Sequence, residues 1–144
     1  MKNGFRTPAI AVLAAAFLLA GCRADFDGLQ TLEVAELAAW RDARGDYAVF
    51  DANSSKTRER YGVIPGAVLL SSYLDYEPAA ELGADRSRTA VFYCHSVRCG
   101  AAADAARRAL DSGYRDVWVL ETGITGWADA GQPVVPPAAP EETS

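Results

Sequence analysis

The sequence predicts an α/β fold in which a mostly parallel sheet carries helices on both faces. Three observations predict it. Short runs rich in β-branched and aromatic residues recur at 47–51, 67–70, 89–93 and 117–120, each only four or five residues long. Helix-forming stretches separate them, the strongest being the alanine-rich 100–112. Turn signals sit between the two kinds of element, as at Gly62, Pro65-Gly66 and Gly113. Short buried strands alternating with helices make a parallel sheet covered on both sides, and such sheets gather ligands at the carboxyl ends of their strands.

Taken in order, residues 30–44 carry Leu32, Val34, Leu37, Ala38 and Trp40 as a partial helical stripe, with Thr31 as the expected N-cap. Residues 47–51 read as a buried strand ending in Asp51. A loop through Asn53 leads to one helical turn at 57–61, a proline-glycine turn at 62–67 and the short strand 67–70. A short helix at 78–82 precedes the strand 89–93. The helix 100–112 and the turn 113–116 then lead to the strand 117–120. Residues 121–131, with Gly123, Gly126 and Trp127, form a loop and a short helix. Asp51, Cys94 and Glu121 each close a strand, which puts them on one edge of the sheet. Residues 134–144, rich in Pro, Ala and Glu, are expected to be a disordered tail.

The first 21 residues are expected to lie outside the fold. Lys2 and Arg6 supply a positive start, and 9–20 is an uncharged apolar core too short for a comfortable membrane span. The end of that core, Leu19-Ala20-Gly21-Cys22, resembles the lipobox of bacterial lipoproteins. The resemblance implies cleavage before Cys22, lipidation of that cysteine, and residues 22–28 as a tether holding the domain off the membrane. The implied location is the cell envelope, facing the periplasm. Arg23 after Cys22, where an aspartate would signal retention, favours the outer membrane over the inner. Without residues 1–21 the formal net charge of −5 becomes −7, since Lys2 and Arg6 are lost. An acidic domain with no basic cluster is a poor candidate for nucleic acid or for anionic lipid.

With Cys22 acylated, Cys94 and Cys99 are the remaining thiols. Cys94 stands between a strand end and a helix start, in the stretch Tyr93-Cys94-His95-Ser96-Val97-Arg98-Cys99-Gly100. Unpaired helix N–H groups and the helix dipole favour a thiolate there, so Cys94 is expected to have a depressed pKa and to act as a nucleophile. Two thiols this close in an exported protein also raise the question of a disulfide.

Four stretches together resemble the rhodanese-like sulfurtransferase domain: Phe50-Asp51-Ala52-Asn53; Tyr61 through Ala67; Phe92-Tyr93-Cys94 through Ala106; and Val119 through Gly131. The resemblance spans 29–133. It implies a single domain with a central, mostly parallel five-stranded sheet flanked by helices on both faces. It also implies a Cys94 persulfide that takes sulfane sulfur from a donor such as thiosulfate or a persulfide and gives it to a thiol or cyanide-like acceptor. Metal and cofactor are not implied.

The loop residues His95, Ser96, Val97, Arg98, Cys99 and Gly100, with Asp51, are the expected substrate-binding set. The resemblance implies that the loop from Cys94 to Cys99 wraps its amides around the sulfur as an anion nest. Arg98 reads either as a partner for an oxyanionic donor or as a solvated loop arginine. His95 reads as a charge-tuning group or as a bystander. Cys99 either closes the loop or pairs with Cys94 as a redox partner. A thiol redox protein and a non-catalytic binding module are therefore the alternatives.

Phosphatases on this fold need an arginine six positions after the cysteine, where this chain has Gly100. Two positions depart from the family pattern: Asn53 replaces the arginine of Asp-x-Arg, and Val63 replaces the histidine before Ile64-Pro65-Gly66-Ala67.

Overall fold

The computed structural model describes residues 24–138. Ten elements follow one another: β1 (Gln30–Leu32), α1 (Val34–Ala43), β2 (Tyr47–Asp51), α2 (Ser55–Tyr61), β3 (Val68–Leu69), α3 (Pro78–Glu81), β4 (Thr89–Tyr93), α4 (Ala101–Asp111), β5 (Val117–Leu120) and α5 (Gly123–Asp129). The five strands form one sheet in the order β1-β5-β4-β2-β3, and every pairing is parallel. The expected five-stranded α/β architecture is the one observed.

Alternation along the strands builds the two sides of the core. On β4, Ala90, Phe92 and the following Cys94 face α4 and join Phe50, Tyr76, Ala105, Ala106 and Val119. Val91 and Tyr93 face the other way and join Leu37, Val49, Ile64, Ile124 and Trp127. All five residues of β4 are buried. That marks it as the central strand, and each large apolar side chain there contributes roughly 1.5–3 kcal/mol by burial. The alanines of α4 at 102, 105, 106 and 109 are buried, so their small size lets this helix lie close on the sheet.

Two local expectations are corrected. Thr31 does not cap α1; it lies in β1 and pairs with Val119 of β5. The cap is Glu33, in a reciprocal arrangement with Glu36, which satisfies the first amides of the helix. The tail does not leave the fold at 134: Val135 exchanges two backbone hydrogen bonds with Val63, at 2.8 and 3.0 Å. The last part of the expected tail, 139–144, lies outside the described residues, as do the signal segment 1–21 and Cys22.

The described part of the expected tether is strapped to the domain. Ala24 N–H donates to the Val97 carbonyl at 2.7 Å, and Arg107 Nη2 donates to the Asp25 carbonyl at 3.0 Å. Phe26 and Leu29 pack on the α4 side of the core. Among the described residues no helix is long and apolar enough to cross a membrane.

Candidate active site

Parallel register fixes where the site stands. Asp51 pairs with Tyr93, and Tyr93 with Leu120, so the chain leaves β2, β4 and β5 at one level. Cys94 is the first residue past β4. Its carbonyl accepts from Ile124 N–H at 2.8 Å, and the His95 carbonyl accepts from Thr125 N–H and Oγ1 at 3.1 and 3.0 Å. A peptide whose carbonyl is held on one side turns its N–H to the other. The amides of His95 and Ala102 accordingly bond to the Cys94 sulfur.

This arrangement requires Gly123. It has φ +61°, and a Cβ there would stand 2.5 Å from the Cys94 carbonyl oxygen. The loop closes through Cys99 N–H donating to the Ser96 carbonyl at 2.9 Å.

Cys94 and Cys99 stand at the two ends of this loop, and their pKa values move in opposite directions. Cys94 is 2 % exposed and donates from Sγ to the Cys99 carbonyl at 3.0 Å. Its hydrogen bond to Cys99 and its burial push the thiol well above the ordinary range, against the pull of the Ala102 and His95 amides. Cys99 is lowered to about 6, first by the hydrogen bond from Cys94, then by the amides of His95 and Ala101. The expectation of a depressed pKa at Cys94 is thus corrected. The two shifts run in opposite directions, up at Cys94 and down at Cys99, and they belong to the pair together.

Asp51 has a different role from the expected substrate contact. It is 0 % exposed, and its carboxylate accepts from Asn53 N–H at 2.7 Å, Tyr93 Oη at 2.5 Å and Arg58 Nε at 3.3 Å. Arg58 also donates to the Asp51 and Leu70 carbonyls, both at 2.9 Å. Tyr93 Oη in turn accepts from Ile64 N–H. This buried cluster ties β2, α2, β4 and the turn before β3 together. Asp51 anchors the wall of the site and does not line it.

Residues 33–130 match the family model described as the rhodanese-like domain. The chain belongs to the rhodanese-like domain family. Among solved structures it is similar to a Rhodopseudomonas palustris protein of unknown function described as a possible tyrosine phosphatase. That pair shares 28 % identity and a TM-score of 0.60, covering 74 % of this chain and 85 % of that one. It is also similar in fold to the rhodanese-like domain of an Anabaena protein, with 18 % identity, a TM-score of 0.62 and coverage of 79 % and 89 %. A Pseudomonas aeruginosa thiosulfate sulfurtransferase matches at 24 % identity and a TM-score of 0.61, covering 74 % of this chain but only 20 % of the enzyme. No curated protein matches the chain.

Beside the rhodanese-like loop lies a cavity of about 540 Å³. Of the expected site residues, His95, Cys99 and Gly100 line it, and Cys94, Ser96, Val97, Arg98 and Asp51 do not. His95 is held against Tyr61, ring centroids 4.5 Å apart. Ser96 serves the loop itself, its Oγ accepting from Arg98 N–H at 3.4 Å, and Val97 receives the strap at Ala24. Arg98 is exposed. The opposite wall comes from the loop after β2 and from 71–73, with Asn53, Ser54, Thr57 and Tyr73.

Sequence reasoning missed Arg58, and it read Asn53 only as a departure from the family pattern, not as a residue of the cavity wall. Arg58 lies in the short helix read at 57–61, to which no role was attached. Its only signal was its position one turn into a helix beginning directly after the Asp51 loop. Among the described residues no group of three or more His, Cys, Asp or Glu is placed to hold a metal ion.

Proposed function

We propose that the domain is a cell-envelope sulfurtransferase that carries sulfane sulfur on Cys94 as a persulfide and hands it to a thiophilic acceptor. The observation that carries this reading is the convergence of the His95 and Ala102 amides on the Cys94 sulfur at the base of a six-residue loop. Such donors stabilise an anion held at that point, whether thiolate or terminal persulfide sulfur.

In the first step Cys94 loses its proton, for which Cys99 in its thiolate form is the neighbouring acceptor. The Cys94 thiolate then attacks the outer sulfur of thiosulfate or of a persulfide. The sulfur–sulfur bond of the donor breaks, sulfite or a thiolate leaves, and Cys94 holds an added sulfur as a persulfide anion. A thiolate or cyanide then takes that outer sulfur and returns Cys94 to the thiolate. The loop's length argues against phosphate-ester chemistry, because the position that would clamp a tetrahedral oxyanion is Gly100.

A second reading follows from the lowered pKa of Cys99 and its place in the cavity wall. The Cys99 thiolate attacks the Cys94 side of a Cys94 persulfide, closes a Cys94–Cys99 disulfide and releases hydrosulfide. Mass spectrometry of the reduced protein after thiosulfate or a persulfide donor separates the cases. A gain of one sulfur, lost in Cys94→Ser, supports transfer. Loss of two hydrogens with the two cysteines joined supports the redox reading. No change with any donor leaves a binding module.

Anchoring through a lipidated Cys22 belongs to the same proposal. Cys22→Ala should move the protein from the membrane to the soluble fraction, and continued membrane retention would contradict the anchor.

A further inference from the structure

The cavity beside the loop carries information about what sits there. Eleven residues line it, and none is Asp, Glu, Lys or Arg. The two nearby guanidinium groups are placed elsewhere. Arg58 turns inward onto Asp51 and two main-chain carbonyls, with its side chain only 11 % exposed, and Arg98 is exposed and outside the lining. A small oxyanion entering here meets hydroxyls and amides without a fixed cation.

The wall also holds an unpartnered polar group. Asn53 is 8 % exposed, and its side-chain Nδ2 is buried with no hydrogen-bond partner. A buried amide left unpaired costs roughly 1–3 kcal/mol, so such a group calls for an occupant that satisfies it. Its neighbours Ser54 and Tyr73 offer further neutral polar groups, and Cys99 brings a thiol to the same space. At about 540 Å³ the cavity is in the range of sites for organic molecules of moderate size.

We propose that this cavity is the subsite for an organic thiol or persulfide whose body carries uncharged amide groups, and that Asn53 is its specificity-determining residue. A ligand that reaches the Asn53 amide accepts from its Nδ2 through a carbonyl and donates to its Oδ1 through an N–H. An amide-bearing thiol thereby pairs both functions of Asn53, while thiosulfate pairs only the donor and finds no countercharge. The inference rests on the sulfurtransferase reading of the same site and names its substrate class.

The test is equilibrium binding to the full chain of two probes, N-acetylcysteine amide and thiosulfate, on wild type, Asn53→Leu and Asn53→Arg, with thermal unfolding run beside each. Wild type is expected to bind the amide thiol more tightly than thiosulfate. Asn53→Leu should weaken the amide thiol about tenfold, and Asn53→Arg should reverse the preference. Asn53→Asp, close in shape but without the donor, replaces either variant that fails to fold and should weaken both probes. Thiosulfate binding as tightly as the amide thiol in wild type overturns the proposal. So does amide binding that ignores every folded substitution at 53. Sulfur loading of Cys94 from the persulfide of N-acetylcysteine amide is measured in parallel. Its absence alongside the expected binding pattern sinks the sulfurtransferase reading and leaves the subsite standing.

Discussion

At one end of the 94–100 loop, Cys94 follows directly on β4, almost wholly covered, with its S–H donated to the Cys99 carbonyl. At the other end, Cys99 is half-buried, lines the cavity and is the thiol whose pKa falls to about 6. Both sulfurs receive main-chain amides, Cys94 from His95 and Ala102, Cys99 from His95 and Ala101. The difference therefore does not come from the helix N-terminus, which serves both. It comes from the direction of the hydrogen bond between them and from the deeper burial of Cys94. Proximity to a helix start favours an anion at either sulfur, and the partner across the loop moves the two pKa values apart.

The largest test of that contrast removes its buried end. Cys94→Ser should bring sulfur transfer to background while the fold persists, because a hydroxyl fits the same space and forms no persulfide. Retained turnover by this variant would move the chemistry to Cys99.

The support beneath Cys94 is next. Arg58→Leu leaves the buried Asp51 carboxylate without its ion-pair partner and should cost about 3–5 kcal/mol in urea unfolding. A cost below about 1 kcal/mol would mean that Tyr93 and the Asn53 amide hold that charge unaided. Gly123→Ala forces a Cβ against the Cys94 and His95 carbonyls from a left-handed backbone, at a cost of about 1–3 kcal/mol for the backbone alone. It should also lower sulfur loading, since it displaces the carbonyls that aim the His95 amide.

The pH dependence sharpens the comparison further. Cys99 has a folded pKa below the ordinary thiol value of 9.0, so ionising it stabilises the fold. That contribution is fully present above about pH 9 and is lost as the pH falls through about 6. The unfolding midpoints of wild type and Cys99→Ser should therefore draw together toward pH 6 and separate as the pH rises from 6 to 9. Cys94 acts in the opposite sense: its raised pKa favours the fold below the ordinary thiol range and ceases to do so as the pH rises through the folded value. A gap between the two proteins that does not vary with pH would contradict the lowered pKa at Cys99.

The smallest effect is expected at Arg98. Exposed and outside the cavity lining, Arg98→Ala should change stability by less than about 0.5 kcal/mol and thiosulfate turnover by less than about twofold.

The parts of this fold that sequence displays are those whose local signal and tertiary role agree. β2, β4 and β5 are apolar runs because both sheet faces are covered, and α4 is alanine-rich because it packs closely. β1 was not legible. Gln30–Leu32 is three residues long, and it is a strand through its pairing with β5, which no local pattern encodes.

The site divides in the same way. Cys94 announces itself by standing between strand and helix. The inward turn of Arg58, the orphaned amide of Asn53 and the strapping of Ala24 to Val97 depend on contacts between segments far apart in the chain. The lowered pKa of Cys99 is hidden for the same reason: it arises first from its hydrogen bond with Cys94, five residues away.

The assignment of the sulfur-carrying residue can be read directly, because trypsin cleaves after Arg98 and so separates the two thiols into different peptides. The measurement is a single turnover with one equivalent of isotopically labelled sulfane sulfur, followed by acid quench, digestion and peptide mass spectrometry. The account predicts the label on the peptide ending at Arg98, which contains Cys94. Label on the peptide that begins with Cys99, or on neither, would contradict it.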